Sequence, residues 1–249
     1  MSSGKQLIRG KSGMRMIAAS ENERSPFLLE EPRWTNDDQV FVINYSFICV
    51  PRFFNLFVLA SFFLGISELC EVQPKFDFTH RRHHCRRCGM IFCGSCCDHK
   101  VMLPRLSFVD PVRVCGECSQ ISKREEEFFE KHLKILCNGA HFVVDESGPL
   151  TFLCKLEHHF HRELLFECSV PDRAAFHEPV LLEKIVSAQL VSNENGSAVS
   201  GLILKYKQQD EMLEVKLTVV TSPDVERKQA LSWLVAMQKA IKMLFEVGS

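Results

Sequence analysis

The stretch RRHHCRRCG, from Arg81 to Gly89, places two cysteines at metal-knuckle spacing inside a block of four arginines and two histidines. A C-x2-C turn lets two thiolates reach one tetrahedral zinc ion. Several guanidinium groups that converge on one point bind an anion such as a phosphate group. The sequence therefore predicts a metal-built fold that presents a basic pocket.

Two further cysteine pairs follow at the same spacing, Cys93/Cys96 and Cys115/Cys118, in a chain that has 12 cysteines among 249 residues. The alternative to metal ligands is the disulfide framework of a secreted protein. Residues 1–25 are polar and lack the apolar core of a signal peptide. We therefore expect zinc ligands rather than disulfides.

The same stretch resembles the signature of the FYVE zinc finger, R-R/K-H-H-C-R. Two other segments are similar to motifs of that family: Trp34-Thr35-Asn36-Asp37 to its upstream W-x-x-D motif, and Arg113-Val114-Cys115 to its downstream R-V-C motif. The resemblance implies a cross-brace in which four cysteine pairs hold two zinc ions. It assigns one complete site to Cys85, Cys88, Cys115 and Cys118, and half of the other to Cys93 and Cys96.

The remaining half of the second site is incomplete in this sequence. Where the family has a C-x2-C pair soon after W-x-x-D, this chain has an apolar stretch at residues 40–66, followed by Ser67-Glu68-Leu69-Cys70. Cys70 fits the second position of the pair, whereas a serine is a poor zinc ligand. Cys49 and Cys97 are alternatives for the fourth ligand, and without one the site has three protein ligands.

The apolar stretch at residues 40–66 contains one charge, Arg52, next to Pro51. A transmembrane helix needs about 20 apolar residues, and residues 53–66 are too few, so a span there is not favoured. One alternative is a helix that lies on the membrane or packs on the finger. The other is an insertion foreign to the fold, such as translated non-coding sequence.

Positive charge is concentrated around the signature. Seven Lys/Arg and three Asp/Glu lie between His80 and Cys118, in a chain of net charge −1. Arginine predominates, as bidentate phosphate recognition prefers, and nucleic acid is not expected because it calls for an extended basic surface. The FYVE resemblance implies phosphatidylinositol 3-phosphate as the ligand, with Arg86 and Arg113 on the 3-phosphate. The implied binding residues are Asp37, Arg81, Arg82, His83, His84, Arg86 and Arg113.

The C-terminal half is predicted to be rich in β-strands and to end in one helix. Residues 119–137 have a helical pattern that stops at Asn138-Gly139. Six short apolar runs from residue 140 onward predict six or seven strands, and Trp233, Leu234, Met237, Ala240, Ile241 and Leu244 form the stripe of a final helix. This order resembles the pleckstrin-homology (PH) architecture. The predicted fold class is α+β, a small two-zinc cross-brace finger followed by a PH-like β-barrel or sandwich with a C-terminal helix.

The predicted domain organisation has four parts. They are a disordered N-terminal segment at residues 1–33, a FYVE finger at 34–118 interrupted by the insertion at 40–66, a helical linker at 119–139 and a PH-like domain at 140–249. Within the last part, His158, His159 and His161 are expected to form a polar turn rather than a metal site. Cys137, Cys154 and Cys168 are expected to be buried thiols, because they have no knuckle partners.

The resemblance implies a zinc-dependent adaptor, cytoplasmic and peripheral on endosomes or vesicles, that binds phosphatidylinositol 3-phosphate in membranes and a protein partner through the PH-like domain. Proteins that join a FYVE finger to such a domain are linked to focal-adhesion turnover and cell motility. A RING-like or GTPase-binding interaction module without lipid binding is the alternative, and a homodimer stays open. An enzyme is not expected, because cysteine-only zinc sites leave no open coordination position.

Overall fold

A computed structural model describes residues 5–10, 12–20, 23–36, 81–144, 150–168, 177–193 and 198–245. The insertion at residues 40–66 lies outside the described residues, as do Asp37, Cys49, Ser67 and Cys70. The chain divides into two compact units. The finger unit comprises residues 8–15 and 30–124, and the sheet unit comprises residues 1–7, 16–29 and 125–249. Across the described ranges, no helix has both the length and the apolar character needed to cross a bilayer.

Short strands and turns make up most of the finger unit. Strand β3 (His83–His84) pairs with β4 (Ile91–Phe92), and β5 (His99–Val101) pairs with β6 (Val112–Val114), both antiparallel. A 3-10 turn lies at Pro104–Leu106, and helix α1 (Gly116–Glu127) begins just after β6. In the described part of this unit, the buried apolar side chains are chiefly Ile91, Val101, Leu103, Leu106, Phe108 and Val114. Metal ligation can add to the stability that these side chains supply.

Two strands occupy part of the segment that the sequence predicted to be disordered, residues 1–33. Strands β1 (Lys5–Gly10) and β2 (Gly13–Ala18) form a two-stranded sheet. The prediction of disorder therefore has to be corrected for residues 5–18. It rested on polar composition, whereas the informative signal is two short runs on either side of a turn bounded by Gly10 and Gly13, which is a hairpin pattern.

A seven-stranded antiparallel sheet organises the sheet unit. In chain order its strands are β7 (Ala140–Val144), β8 (Thr151–Leu156), β9 (Glu163–Cys168), β10 (Val180–Leu181), β11 (Ile185–Ser192), β12 (Val199–Gln208) and β13 (Glu211–Val219). In space their order is β10-β9-β8-β7-β13-β12-β11. One apolar run of the sequence, residues 180–191, gives two strands because a 3-10 turn at Leu182–Lys184 divides it.

The edges of this sheet are β10 and β11, and within the described residues no pairing joins them. The unit is therefore an open, sheet-rich arrangement with helices. This agrees with the predicted α+β class. The closed PH-like barrel stays a prediction.

The core of the sheet unit lies between one face of the sheet and the C-terminal helix α3 (Asp224–Phe245). Alternate residues of β7 and β8 are buried, and Phe142 and Phe152 are cross-strand partners. Trp233 of α3 is completely buried, and its ring centroid lies 5.2 Å from that of Phe142. The predicted apolar stripe of this helix is confirmed, because five of its six side chains are buried and Leu244 is partly buried against the same core.

The predicted linker is a nearly continuous helical stretch made of α1, a π-helical turn at Phe128–His132 and α2 (Leu133–Asn138). The boundary between the two units falls inside α1, after Arg124. In the sheet unit, the ring of Phe128 packs against that of Phe27 with centroids 5.2 Å apart. The predicted stop at Asn138-Gly139 is confirmed. Gly139 has φ +79°, and a Cβ there would lie 2.9 Å from the carbonyl oxygen of Cys154.

Candidate zinc centre and basic pocket

Four cysteines from two distant parts of the sequence converge in the finger unit. The sulfurs of Cys85, Cys88, Cys115 and Cys118 all lie within 4.8 Å of one another. A tetrahedral zinc ion with Zn–S bonds of about 2.3 Å needs sulfurs roughly 3.8 Å apart. The donor set therefore fits zinc in number, type and spacing, and the grouping is the one that the resemblance implied.

Backbone hydrogen bonds close the first knuckle. The N–H of Gly89 donates to the carbonyl of Cys85 at 2.9 Å, and the N–H of Cys85 donates to the carbonyl of Met90 at 2.9 Å. Gly89 has φ +74°, and a Cβ at this position would lie 2.3 Å from the carbonyl oxygen of Arg33. The N–H of Thr35 also donates to the carbonyl of Gly89 at 3.1 Å. A glycine is thus needed for the preceding segment to pack directly on the knuckle.

The second knuckle lies at the start of α1. The N–H of Ser119 donates to the carbonyl of Cys115 at 2.9 Å, and the positive end of a helix favours the thiolate form of nearby cysteines. Cys85 and Cys115 are almost fully buried, at 0% and 3% exposure. Hydrogen bonding with Cys115 lowers the pKa of the Cys85 thiol and raises the pKa of the Cys88 and Cys118 thiols, so the four thiols are close enough to share protons.

Only part of the second predicted zinc site falls within the described residues. Cys93 and Cys96 lie on one turn, in which the N–H of Cys97 donates to the carbonyl of Cys93 at 3.2 Å. In the ranges that the structure describes, neither Cys93 nor Cys96 belongs to a group of three or more metal-ligating atoms, and Cys70 lies outside those ranges. Cys97, an alternative fourth ligand, is buried and its thiol hydrogen-bonds to that of Cys85. This contact places Cys97 beside the first site.

The backbone brings the two predicted phosphate ligands together. The N–H of Arg86 donates to the carbonyl of Arg113 at 3.0 Å, so the signature runs alongside β6. Each guanidinium is also anchored, because Nη1 of Arg86 donates to the carbonyl of His84 and Nη1 of Arg113 donates to that of Cys97, both at 2.6 Å. Two arginines, one in the knuckle turn after β3 and one in β6, are thus fixed next to the four-cysteine site.

The positive charges gather around His83. Burial lowers the pKa of its imidazole, and the charges of Arg113, Arg86 and Arg81 lower it further. Like charges held this close repel one another, so an anion bound among them would be favourable. The described residues thus include an electropositive surface beside the first zinc site.

The segment that carries the W-x-x-D motif packs on strand β3. The ring of Trp34 meets that of His84 edge-on with centroids 5.4 Å apart, and the guanidinium carbon of Arg86 lies 5.8 Å from the centre of the Trp34 ring. Nε2 of His84 donates to the carbonyl of Thr35 at 3.0 Å. Asp37 follows two positions later but lies outside the described residues.

Of the other predicted pocket residues, Arg81 and Arg82 are exposed and directly precede β3. Two contacts of the pocket could not be predicted from the residue types. One is the carbonyl of Cys97 on Arg113, and the other is the carbonyl of Ser12, which accepts a hydrogen bond from Nε of Arg86 at 3.4 Å. The first involves Cys97, a cysteine outside the C-x2-C pairs, and the second joins residues far apart in the chain.

The histidine group of the sheet unit forms a turn, as predicted. The carboxylate of Glu157 accepts the backbone N–H groups of His159 and Phe160, the second at 3.0 Å from Oε2. Among the described residues, the four-cysteine group is the only candidate metal cluster. Cys137 and Cys154 are buried thiols, also as predicted, and burial raises the pKa of Cys137 to about 11. Cys168 was predicted to be buried too, but it is only partly buried, near the end of β9.

Comparison with protein families decides what this finger is. The family model for the FYVE zinc finger matches residues 67–124. The chain is a FYVE-type zinc finger protein. A second family model, described as the C-terminus of zinc finger FYVE domain-containing protein 21, matches residues 127–248. The chain therefore resembles that protein beyond the finger as well. A FYVE finger binds two zinc ions, and the four-cysteine cluster of this FYVE protein supplies one complete site.

Curated relatives share a short segment with this FYVE protein. A phosphatidylinositol-3,5-bisphosphate 3-phosphatase of Mus musculus is 44% identical over 71 residues, which are 27% of this chain and 6% of the phosphatase. Vacuolar protein sorting-associated protein 27 of Yarrowia lipolytica is 41% identical over 84 residues, 33% of this chain and 14% of that protein. The hepatocyte growth factor-regulated tyrosine kinase substrate of Drosophila melanogaster is 47% identical over 53 residues, which are 21% of this chain and 7% of that protein. The chain thus spans a small part of each relative's length.

Proposed function

We propose that the finger binds phosphatidylinositol 3-phosphate in membranes and that the chain is a zinc-dependent, non-catalytic adaptor at endosomes. The observation that carries this proposal is the pairing of Arg86 with Arg113, two arginines anchored side by side next to a four-cysteine zinc site. A phosphomonoester carries a charge of about −1.5 to −2. Two fixed guanidiniums neutralise such a group with charge-assisted, bidentate hydrogen bonds.

The anchoring of these arginines leaves them able to bind phosphate. A guanidinium has five N–H donors, and the carbonyls of His84 and Ser12 accept from Nη1 and Nε of Arg86. Its other donors can therefore serve the 3-phosphate together with those of Arg113. In this proposal Arg81 and Arg82 contact phosphate and ring oxygens, His84 and Asp37 take ring hydroxyls, and His83 lines the pocket.

The names of the relatives are in keeping with this ligand. One is a phosphatase of a phosphoinositide, and another is a vacuolar protein sorting-associated protein. The match to the phosphatase covers 6% of its length, so the phosphatase activity is not carried over. A closed cysteine-only zinc site is structural, because it leaves no coordination position for a substrate or water.

The wider role is proposed on the resemblance to zinc finger FYVE domain-containing protein 21. We propose the domain organisation given above, with the finger at residues 34–118, the linker at 119–139 and a PH-like domain at 140–249. In this role the chain is cytoplasmic and peripheral on endosomes, and the PH-like domain binds a protein partner with a link to focal-adhesion turnover. A homodimer would add avidity for the membrane.

The test uses the full chain and three kinds of vesicle, containing phosphatidylinositol 3-phosphate, phosphatidylinositol 4-phosphate or phosphatidylserine as the acidic lipid. Arg86→Ala should weaken binding to the first kind at least tenfold, with zinc per chain unchanged. The matched control is Arg124→Ala, which removes an exposed charge from α1 of the same unit. If the unmodified chain shows no preference for the 3-phosphate, the proposed function is wrong. Joint loss of lipid binding and zinc in Arg86→Ala would make that arginine structural.

A further inference from the structure

The tip of the N-terminal hairpin, residues 8–15, belongs to the finger unit and contacts the segment around Phe108 through an isolated bridge. Arg15 forms an antiparallel bridge with Phe108, and the N–H of Val109 donates to the carbonyl of Met14 at 3.1 Å. In antiparallel strands, residues that face each other project to the same side, and their neighbours project to the other side. Met14 therefore lies opposite Val109, on the side away from Arg15 and Phe108.

The two sides of this contact differ in exposure. On the inner side, the guanidinium carbon of Arg15 lies 5.7 Å from the centre of the Phe108 ring, and its Nε donates to the carbonyl of Leu106 at 2.8 Å. On the outer side, Met14 is 37% exposed and Val109 is 43% exposed. The inner side is packed against the finger, whereas the outer side presents two apolar side chains to solvent. We call Met14 and Val109 the hairpin patch.

The hairpin that carries Met14 also contacts the basic pocket. Ser12, in the turn just before β2, accepts a hydrogen bond from Nε of Arg86 at 3.4 Å, and Arg86 is a proposed ligand of the 3-phosphate. Arg9, on the other strand of the hairpin, is exposed and adds positive charge. Scattered exposed apolar residues are common on protein surfaces, but this pair adjoins a cluster of arginines. A bilayer that contains an acidic lipid offers both a phosphate group and an apolar layer at one surface.

We propose that the hairpin patch is a second membrane contact, in which Met14 and Val109 enter the apolar edge of the lipid layer while the neighbouring arginines hold phosphate groups. The inference rests on the proposed lipid binding of the finger and adds a contact from outside the zinc-bound segment. Insertion that removes on the order of 100 Å² of apolar surface from water corresponds to roughly a ten- to a hundredfold gain in affinity. Binding of a soluble headgroup would gain nothing from this contact.

The experiment therefore compares a headgroup with a membrane, using the full chain. The double variant Met14→Gln/Val109→Thr keeps the size of both side chains but makes them polar. The control is Met90→Gln, because Met90 is exposed to 43%, as Val109 is, and lies in the knuckle of the same unit. The probes are soluble inositol 1,3-bisphosphate, phosphatidylcholine/phosphatidylserine vesicles, and the same vesicles with phosphatidylinositol 3-phosphate. Zinc per chain is measured for every protein as a check on folding.

We expect the double variant to bind the vesicles that contain phosphatidylinositol 3-phosphate at least tenfold more weakly, with unchanged affinity for inositol 1,3-bisphosphate. A loss no larger than that of Met90→Gln would overturn the proposal. An equal loss of headgroup affinity would also overturn it, because the patch would then act by shaping the pocket. If the unmodified chain fails to bind the headgroup, the proposed function fails. The membrane contact of the hairpin patch is then tested on phosphatidylserine vesicles. Weaker vesicle binding by the double variant than by Met90→Gln supports the contact, and unchanged vesicle binding overturns it.

Discussion

Replacing Gly89 with alanine is expected to weaken zinc binding by the finger without removing a ligand. Gly89 has φ +74°, and its new Cβ would lie 2.3 Å from the carbonyl oxygen and 3.0 Å from the carbonyl carbon of Arg33. The left-handed conformation costs a residue with a Cβ about 1–2 kcal/mol. The close contacts are with backbone atoms, which cannot rotate away, and overpacking of this kind costs about 1–3 kcal/mol.

The two costs together come to about 2–5 kcal/mol. In small zinc modules the free energy of metal binding is largely the free energy of folding. The same loss should therefore lower the apparent zinc affinity by roughly thirtyfold to several thousandfold. The assay is competition for zinc between the full chain and a chromophoric chelator, with zinc per chain measured before the chelator is added.

Gly116→Ala is the matched control. Gly116 also directly neighbours the four-cysteine site, but the nearest atom to a new Cβ would be Nε2 of His99 at 3.7 Å, an ordinary contact. Gly116 is the first residue of α1, and alanine favours helix more than glycine does by about 1 kcal/mol. This variant should bind zinc as well as the unmodified chain does. The reasoning is refuted if the zinc affinity of Gly89→Ala stays within about threefold of that of the unmodified chain, or if both variants lose the same amount of zinc affinity.

Three further changes probe the two units separately. Cys88→Ser removes one of the four thiolates and should lower bound zinc by one ion per chain in atomic absorption, because serine is a poor zinc ligand. Trp233→Ala should lower the free energy of unfolding of the sheet unit by about 3–5 kcal/mol in urea, while bound zinc stays the same. Burial, and then the charge of Lys239, lower the pKa of His132, so the folded state holds this proton less tightly than the unfolded chain. Stability should be greatest above about pH 6.5 and fall as the pH drops through the lowered folded-state pKa. His132→Gln should flatten that slope in urea midpoints measured against pH, and an unchanged slope would contradict the assignment.

The zinc site could be predicted because its information is local. Each C-x2-C pair specifies a knuckle through spacing and residue type alone, and the resemblance supplied the way in which the pairs combine. The contacts of Arg86 with Ser12 and of Arg113 with Cys97 could not be predicted in the same way. Both use backbone carbonyls, which every residue has, so nothing in the residue types marks them.

The sheet shows a similar division between local pattern and tertiary pairing. Alternation of apolar residues predicted most strands, and the stripe around Trp233 predicted α3. The order of the strands was not predictable, because β7 pairs with both β8 and β13, and the latter lies far along the chain. The hairpin formed by β1 and β2 was not predicted, because the polar composition of this segment favours disorder and only the glycines on either side of the turn indicate a hairpin.

In this finger, metal binding and the proposed anion recognition depend on the same backbone segments. Arg86 lies between Cys85 and Cys88, and Arg113 precedes Cys115 by two positions. The backbone that carries each proposed phosphate ligand is therefore held by the four-cysteine cluster, with a hydrogen bond from Arg86 to Arg113 joining the two segments. Among the described residues of the finger unit few apolar side chains are buried, and metal ligation adds to the support that holds the two guanidiniums in register. A change that loosens the first zinc site should consequently displace both arginines, even though neither of them is a zinc ligand.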